Sequence, residues 1–161
     1  DRVLGRHPLR GLALVGGERR PLGTAAGSMA ILAHLTDDQV DDINRRNASR
    51  LAGYGMDAAG VQEAVRLCRM RGYATSESRA VPGLGVLGVA IPRPAGGAVA
   101  ALALIGPLHR FSGRGAARAA ALVREEAMRL ASLPGLHGGL TPPARAEGAL
   151  STERKAARPL A

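Results

Sequence analysis

Apolar positions recur along this chain with two different periods, and the change between them divides it. From Pro21 to about His34 the residues are small or apolar almost without a break, "PLGTAAGSMAILAHL", which predicts one helix. Thr36-Asp37-Asp38-Gln39 reads as a capping box that opens a second helix, with acids in the first turn where the helix dipole favours them. Its apolar positions Val40, Ile43 and Leu51 are sparse, so it is expected on the surface. Asp57 is placed to cap a third helix with Val61, Val65 and Cys68 on one face and Ala64 and Leu67 beside them. Gly72 is placed to end it.

Beyond Gly72 the pattern turns strand-like. Tyr73–Glu77, Leu84–Ile91 and Ala98–Ile105 predict strands, with Pro92–Gly97 as a hairpin turn between the last two. Leu9–Val15, followed by Gly16-Gly17, predicts an earlier strand. A last helix is expected from about Arg114 to Leu133, with Ala119, Val123, Ala127 and Leu130 facing inward. Residues 137–161 are rich in Pro, Ala and Arg without periodicity and predict a disordered tail of net charge about +2. Helices and strands come in blocks, so the fold class is α+β around an antiparallel sheet, in one domain over residues 1–136.

Composition narrows the functions this domain can have. A chain of 161 residues suffices for one core plus a tail. Tyr54, Tyr73 and Phe111 are its aromatics and Trp is absent, so the core is aliphatic. Aromatic cages and base-stacking platforms are thereby excluded. Gly and Pro interrupt the apolar stretches before they reach bilayer length, and no apolar leader follows Asp1. Cys68 stands alone, so no internal disulfide forms, which suits a reducing cytoplasm. The net charge of +9 comes from Arg dispersed along the chain, not from one basic helix face, which argues against a nucleic-acid interface in this segment.

Familiar motifs dissolve on inspection. Gly83-Leu84-Gly85-Val86-Leu87-Gly88 spells GxGxxG, but a dinucleotide fingerprint needs a helix after it and an acid about twenty residues on. Here Pro92 and a hairpin follow, so the glycines are expected to let something pack close to a strand. His7, His34, His109 and His137 sit at no metal-ligand spacing from one another or from Cys68. Ser28 lies outside any GxSxG, and Cys68 falls on a core face. Asp37, Asp38, Asp41 and Asp42 read as a solvated helix start. No catalytic constellation assembles, and neither a metal nor a cofactor is implied. An enzyme is not expected.

Three segments in order carry a resemblance. They are "GERRPLGTAAGSMAILAHL", "RLCRMRGYATSES" and "PGLGVLGVAIPRPAGGAVAALALIGPLHRF", followed by the final helix. Together, over about residues 9 to 135, the chain resembles the C-terminal effector-binding domain of the IclR family of transcriptional regulators. The resemblance implies a GAF-like sheet flanked by helices, a homodimer or homotetramer, and DNA contact only through a helix-turn-helix domain. That domain, and the first strands of the effector domain, would lie upstream of Asp1 and are absent from this chain. Where the family often has Gly-Lys-Ala, this sequence reads Ser28-Met29-Ala30, so a lysine near the helix start is missing.

The small residues Ala26, Gly27 and Ser28 would let a ligand carboxylate reach the first-turn amides of a helix, which carry partial positive charge. Close helix-on-sheet packing demands the same small residues. The resemblance places the other pocket walls at Ser76, Leu84, Val86, Ala103 and Ile105, of which only Ser76 is polar. An apolar wall leaves a buried hydroxyl or second carboxylate unpaired, so the expected effector is a small carboxylic acid with an apolar or aromatic body. The alternative is a stand-alone small-molecule-binding or structural dimer module with no DNA role.

Overall fold

The computed structural model describes residues 19–78, 81–93 and 97–133. The strand expected at Leu9–Val15 and the tail at 137–161 lie outside them. Four helices and three strands follow in the order α1 (Ala26–Leu32), α2 (Asp37–Gly53), α3 (Ala58–Arg71), β1 (Ala74–Glu77), β2 (Leu84–Pro92), β3 (Ala98–Pro107) and α4 (Gly113–Ala131). A single 3-10 turn, Leu108–Phe111, precedes α4. The strands form an antiparallel sheet in the order β1-β2-β3. The α+β class expected from the sequence is the class observed.

Local chemistry explains most boundaries. Thr36 caps α2: its hydroxyl accepts the Gln39 amide at 3.4 Å, and the Gln39 side chain accepts the Thr36 amide at 3.0 Å. The Asp57 carboxylate takes the Gly60 amide at 2.7 Å to start α3, and Gly72, with φ +76°, ends it. The Arg93 amide donates to the Gly97 carbonyl at 3.1 Å across the β2–β3 hairpin.

The first helix begins later than its apolar run suggests, at Ala26 and not at Pro21. Residues 21–25 form a turn held by side chains. Gly23 adopts φ +96°, the Thr24 hydroxyl donates to the Pro21 carbonyl at 2.9 Å, and the Ser28 hydroxyl accepts the Gly23 and Ala25 amides at 3.1 and 3.2 Å. Local hydroxyl bonds of this kind compete with helix formation and win here.

The sheet is a filling between two layers. Alternation along β2 sends Leu87, Val89 and Ile91 to one face, where they pack with Phe111 and with Ala116, Ala120, Val123 and Ala127 of α4. The inner stripe of α4 thus runs through Ala116 and Ala120 as well as Val123 and Ala127, with Ala119 and Leu130 only half-buried at its margin. The opposite face, with Ala74 and Ala90, carries α1 and α3 through Ala26, Met29, Ala30 and Cys68. A third cluster, Leu32, Val40, Leu51, Val61 and Val65, seats α2 on α3. As its sparse apolar positions predict, α2 forms an outer layer.

Two glycines of the GxGxxG set accommodate close neighbours. A Cβ on Gly85 would lie 2.7 Å from Cδ2 of Phe111. A Cβ on Gly88 would lie 2.5 Å from the Ala26 carbonyl carbon and from the Gly27 nitrogen. The third, Gly83, supplies φ +80° for the turn into β2. Close packing, not phosphate binding, accounts for the motif.

Candidate functional site

Residue pairing in the sheet decides which candidates meet. Ser76 pairs with Val86, and Val86 with Ile105, so these three form one cross-strand row. The next row is Ala74, Gly88 and Ala103. Side chains of a row share a face, and this face is the one that carries α1. Leu84, two residues before Val86, belongs to it as well. The five sheet residues singled out from the sequence therefore lie together.

The start of α1 lies directly on the second row. Its Ala26-Gly27 peptide rests against Gly88, and a Cβ on Gly27 would meet Ala101 and Ala103 at 3.6 and 4.0 Å. From this position the Ala26 amide donates to the Ser76 hydroxyl at 3.2 Å. One first-turn amide is thereby committed to the chain itself. The Ser28 hydroxyl is turned back onto the preceding turn, where it also donates to the Ala25 carbonyl at 2.8 Å. The close packing that the small residues permit is thus present, and Gly27 and Ser28 are the first-turn residues whose amides neither hydroxyl takes.

Burial grades the site. Ala26 and Leu84 are buried, Gly27, Ser28, Ser76, Val86 and Ile105 are half-buried, and Ala103 is exposed. The row beside α1 is therefore apolar and half-buried, with the Ser76 hydroxyl at its β1 end.

Three features escaped the sequence. Gly85 and Gly106 are cross-strand partners, and the Phe111 ring fills the slot they leave, with Cζ 3.5 Å from a Cβ on Gly106. The paired glycines were the available signal. Arg69 joins three helices: it donates to the Ala33 carbonyl at 3.2 Å and the Leu35 carbonyl at 2.7 Å, and pairs with Asp37 at 2.6 Å. Arg124 of α4 donates to the Arg71 and Gly72 carbonyls at 3.3 and 3.4 Å, capping α3 from a distant element. No local pattern encodes either arginine contact.

Cys68 is buried, and burial pushes its thiol up to about 11, only partly opposed by the Arg69 charge. A thiol held protonated is a packing group, as its helix face predicts. Among the described residues, no group of three or more His, Cys, Asp or Glu could hold a metal ion. No helix there is long and apolar enough to cross a membrane.

No protein-family model matches the chain, and no curated protein matches it in sequence. Solved structures do match in fold. The Agobacterium tumefaciens repressor BlcR superposes with a TM-score of 0.63 at 22% identity, over 76% of this chain and 51% of BlcR. The effector domain of the IclR-type regulator of Acinetobacter sp. ADP1 gives a TM-score of 0.58 at 20% identity, over 74% of this chain and 70% of that domain. The C-terminal domain of the E. coli transcriptional regulator KdgR gives 0.58 at 22% identity, over 71% of each chain. The fold is that of the effector domain of IclR-type transcriptional regulators. The chain spans about half the length of BlcR.

Proposed function

We propose that this chain is the ligand-sensing and oligomerising domain of an IclR-type, cytoplasmic DNA-binding regulator, and that it is not an enzyme. The observation that carries the reading is the half-buried Ser76–Val86–Ile105 row lying on the α1 face in a fold shared with effector domains. A small carboxylic acid with an apolar or aromatic body lies on this row, between Leu84 and Ala103. Its charged end is directed to Gly27 and Ser28 at the α1 start, beside the Ser76 hydroxyl.

Such a ligand alters regulation only if it binds two arrangements of the subunits unequally. Its occupancy shifts how effector domains pair in a homodimer or homotetramer, and so the spacing of helix-turn-helix domains contributed by the rest of the regulator. DNA is contacted through those domains and not through this one.

A thermal-shift screen of apolar and aromatic carboxylic acids tests the reading. A bound acid stabilises the domain by about 2.7 kcal/mol at a hundredfold excess over its dissociation constant. Val86→Ser, which adds a hydroxyl to the row, is expected to move the preference toward more polar acids. A panel without a stabilising acid, or an unchanged preference in the variant, overturns it.

A further inference from the structure

The inner stripe of α2 carries a residue that works against its own packing. Val40, Asn44 and Leu51 are the buried positions among the 17 residues of this helix, and Asn44 is only 2% exposed. Neither its side-chain nitrogen nor its side-chain oxygen has a hydrogen-bond partner. Both atoms give up water when α2 docks and receive nothing in exchange. An apolar side chain at this place would not carry that cost.

The rest of the seat offsets the cost only weakly. α2 joins the domain through the cluster of Leu32, Val40, Leu51, Val61 and Val65, to which it contributes Val40 and Leu51, with Ile43 half-buried beside them. Its side-chain ties to α3 are the Arg69–Asp37 pair at 2.6 Å and the Gln62–Asp41 bond at 2.7 Å. Both lie at the surface, where water replaces such contacts at little cost. The other helices are held differently. α4 sets Ala116, Ala120, Val123 and Ala127 against Leu87, Val89 and Ile91 of β2, and α1 rests on β2 at Gly88.

We infer that α2 is a latch, which lifts from α3 as a unit while the sheet and the other three helices stay folded. The shielded Asn44 amide keeps this opening far less costly than global unfolding, because lifting returns both of its polar atoms to water. Lifting also uncovers Leu32, Val61 and Val65. A segment of this length, rich in Asp, Asn and Arg, does not persist as a helix once it leaves its seat. The lifted segment therefore unwinds, and its amides meet solvent. The latch acts apart from the sheet row and does not depend on what that row binds.

The test is native-state hydrogen exchange of the full chain in increasing urea, read at the amides of residues 43–50 in α2 and 85–91 in β2. The α2 amides are expected to show protection factors at least tenfold lower than those of β2, with a shallower dependence on urea. Asn44→Leu is expected to slow exchange across α2 at least tenfold. Val40→Ala, which trims the same stripe without adding bulk, is expected to quicken it at least tenfold. Protection and urea dependence shared by α2 and β2 would overturn the inference, since α2 would then open only with the whole domain. A folded Asn44→Leu or Val40→Ala chain with unchanged α2 exchange would overturn it as well.

Discussion

The hydroxyl of Ser76, on the outer strand β1 among the described residues, accepts the backbone N–H of Ala26 at 3.2 Å, fifty residues away in the chain. This bond ties the first turn of α1 to the sheet at the end of the Ser76–Val86–Ile105 row. Replacing the hydroxyl leaves a partly buried N–H without its partner, a loss of about 1 kcal/mol. Ser76→Ala is therefore expected to lower the unfolding free energy by that amount, read as a lower urea midpoint with an unchanged slope. A midpoint equal to wild type would show that the bond does not hold the helix start.

Two glycines that face each other across the helix–sheet contact are expected to respond in opposite directions. Gly88→Ala puts a methyl 2.5 Å from the backbone of Ala26 and Gly27, so α1 must lift from the sheet. Overpacking against backbone of this kind costs about 2–3 kcal/mol. Gly27→Ala meets only Ala101 and Ala103, at ordinary contact distances of 3.6 and 4.0 Å. It is expected to be neutral or to stabilise by up to about 1 kcal/mol through helix propensity. Denaturant midpoints of the two variants check the difference in sign.

Much of the fold was legible because its signals are local. Thr36 with Gln39, Asp57 and Gly72 carry their helix boundaries in one or two residues each, and the alternation in β2 and β3 carries the sheet. The start of α1 was not legible in the same way. The hydroxyls of Thr24 and Ser28 draw residues 21–25 into a turn, and an apolar run does not reveal which of two local hydrogen-bonding patterns wins. The shared face of Ser76, Val86, Ala103 and Ile105 needs strand register, which pairs residues far apart in sequence. Asn44 of α2, buried with neither side-chain amide atom hydrogen-bonded, likewise reaches that state only in the folded packing.

The Cys68 thiol makes stability depend on alkaline pH. Its folded value of about 11 stands above an ordinary value of 9.0. Below the ordinary value the thiol is neutral in both states and contributes no pH dependence. Above it the unfolded chain releases the proton while the folded chain keeps it, so stability falls through that window. Urea midpoints of the wild type are expected to drop between about pH 9 and about pH 11 by more than those of Cys68→Ala. Equal drops would mean that the thiol ionises freely in the folded state.

The central claim is that a carboxylic acid lies on the sheet face in front of α1. The measurement that tests it most directly is amide chemical-shift mapping, using the acid that raises the melting temperature most. The account predicts perturbations centred on Gly27, Ser28, Ser76, Val86, Ala103 and Ile105, with α2 undisturbed. Perturbations confined to α2, or scattered over the surface without a centre on the row, would contradict it.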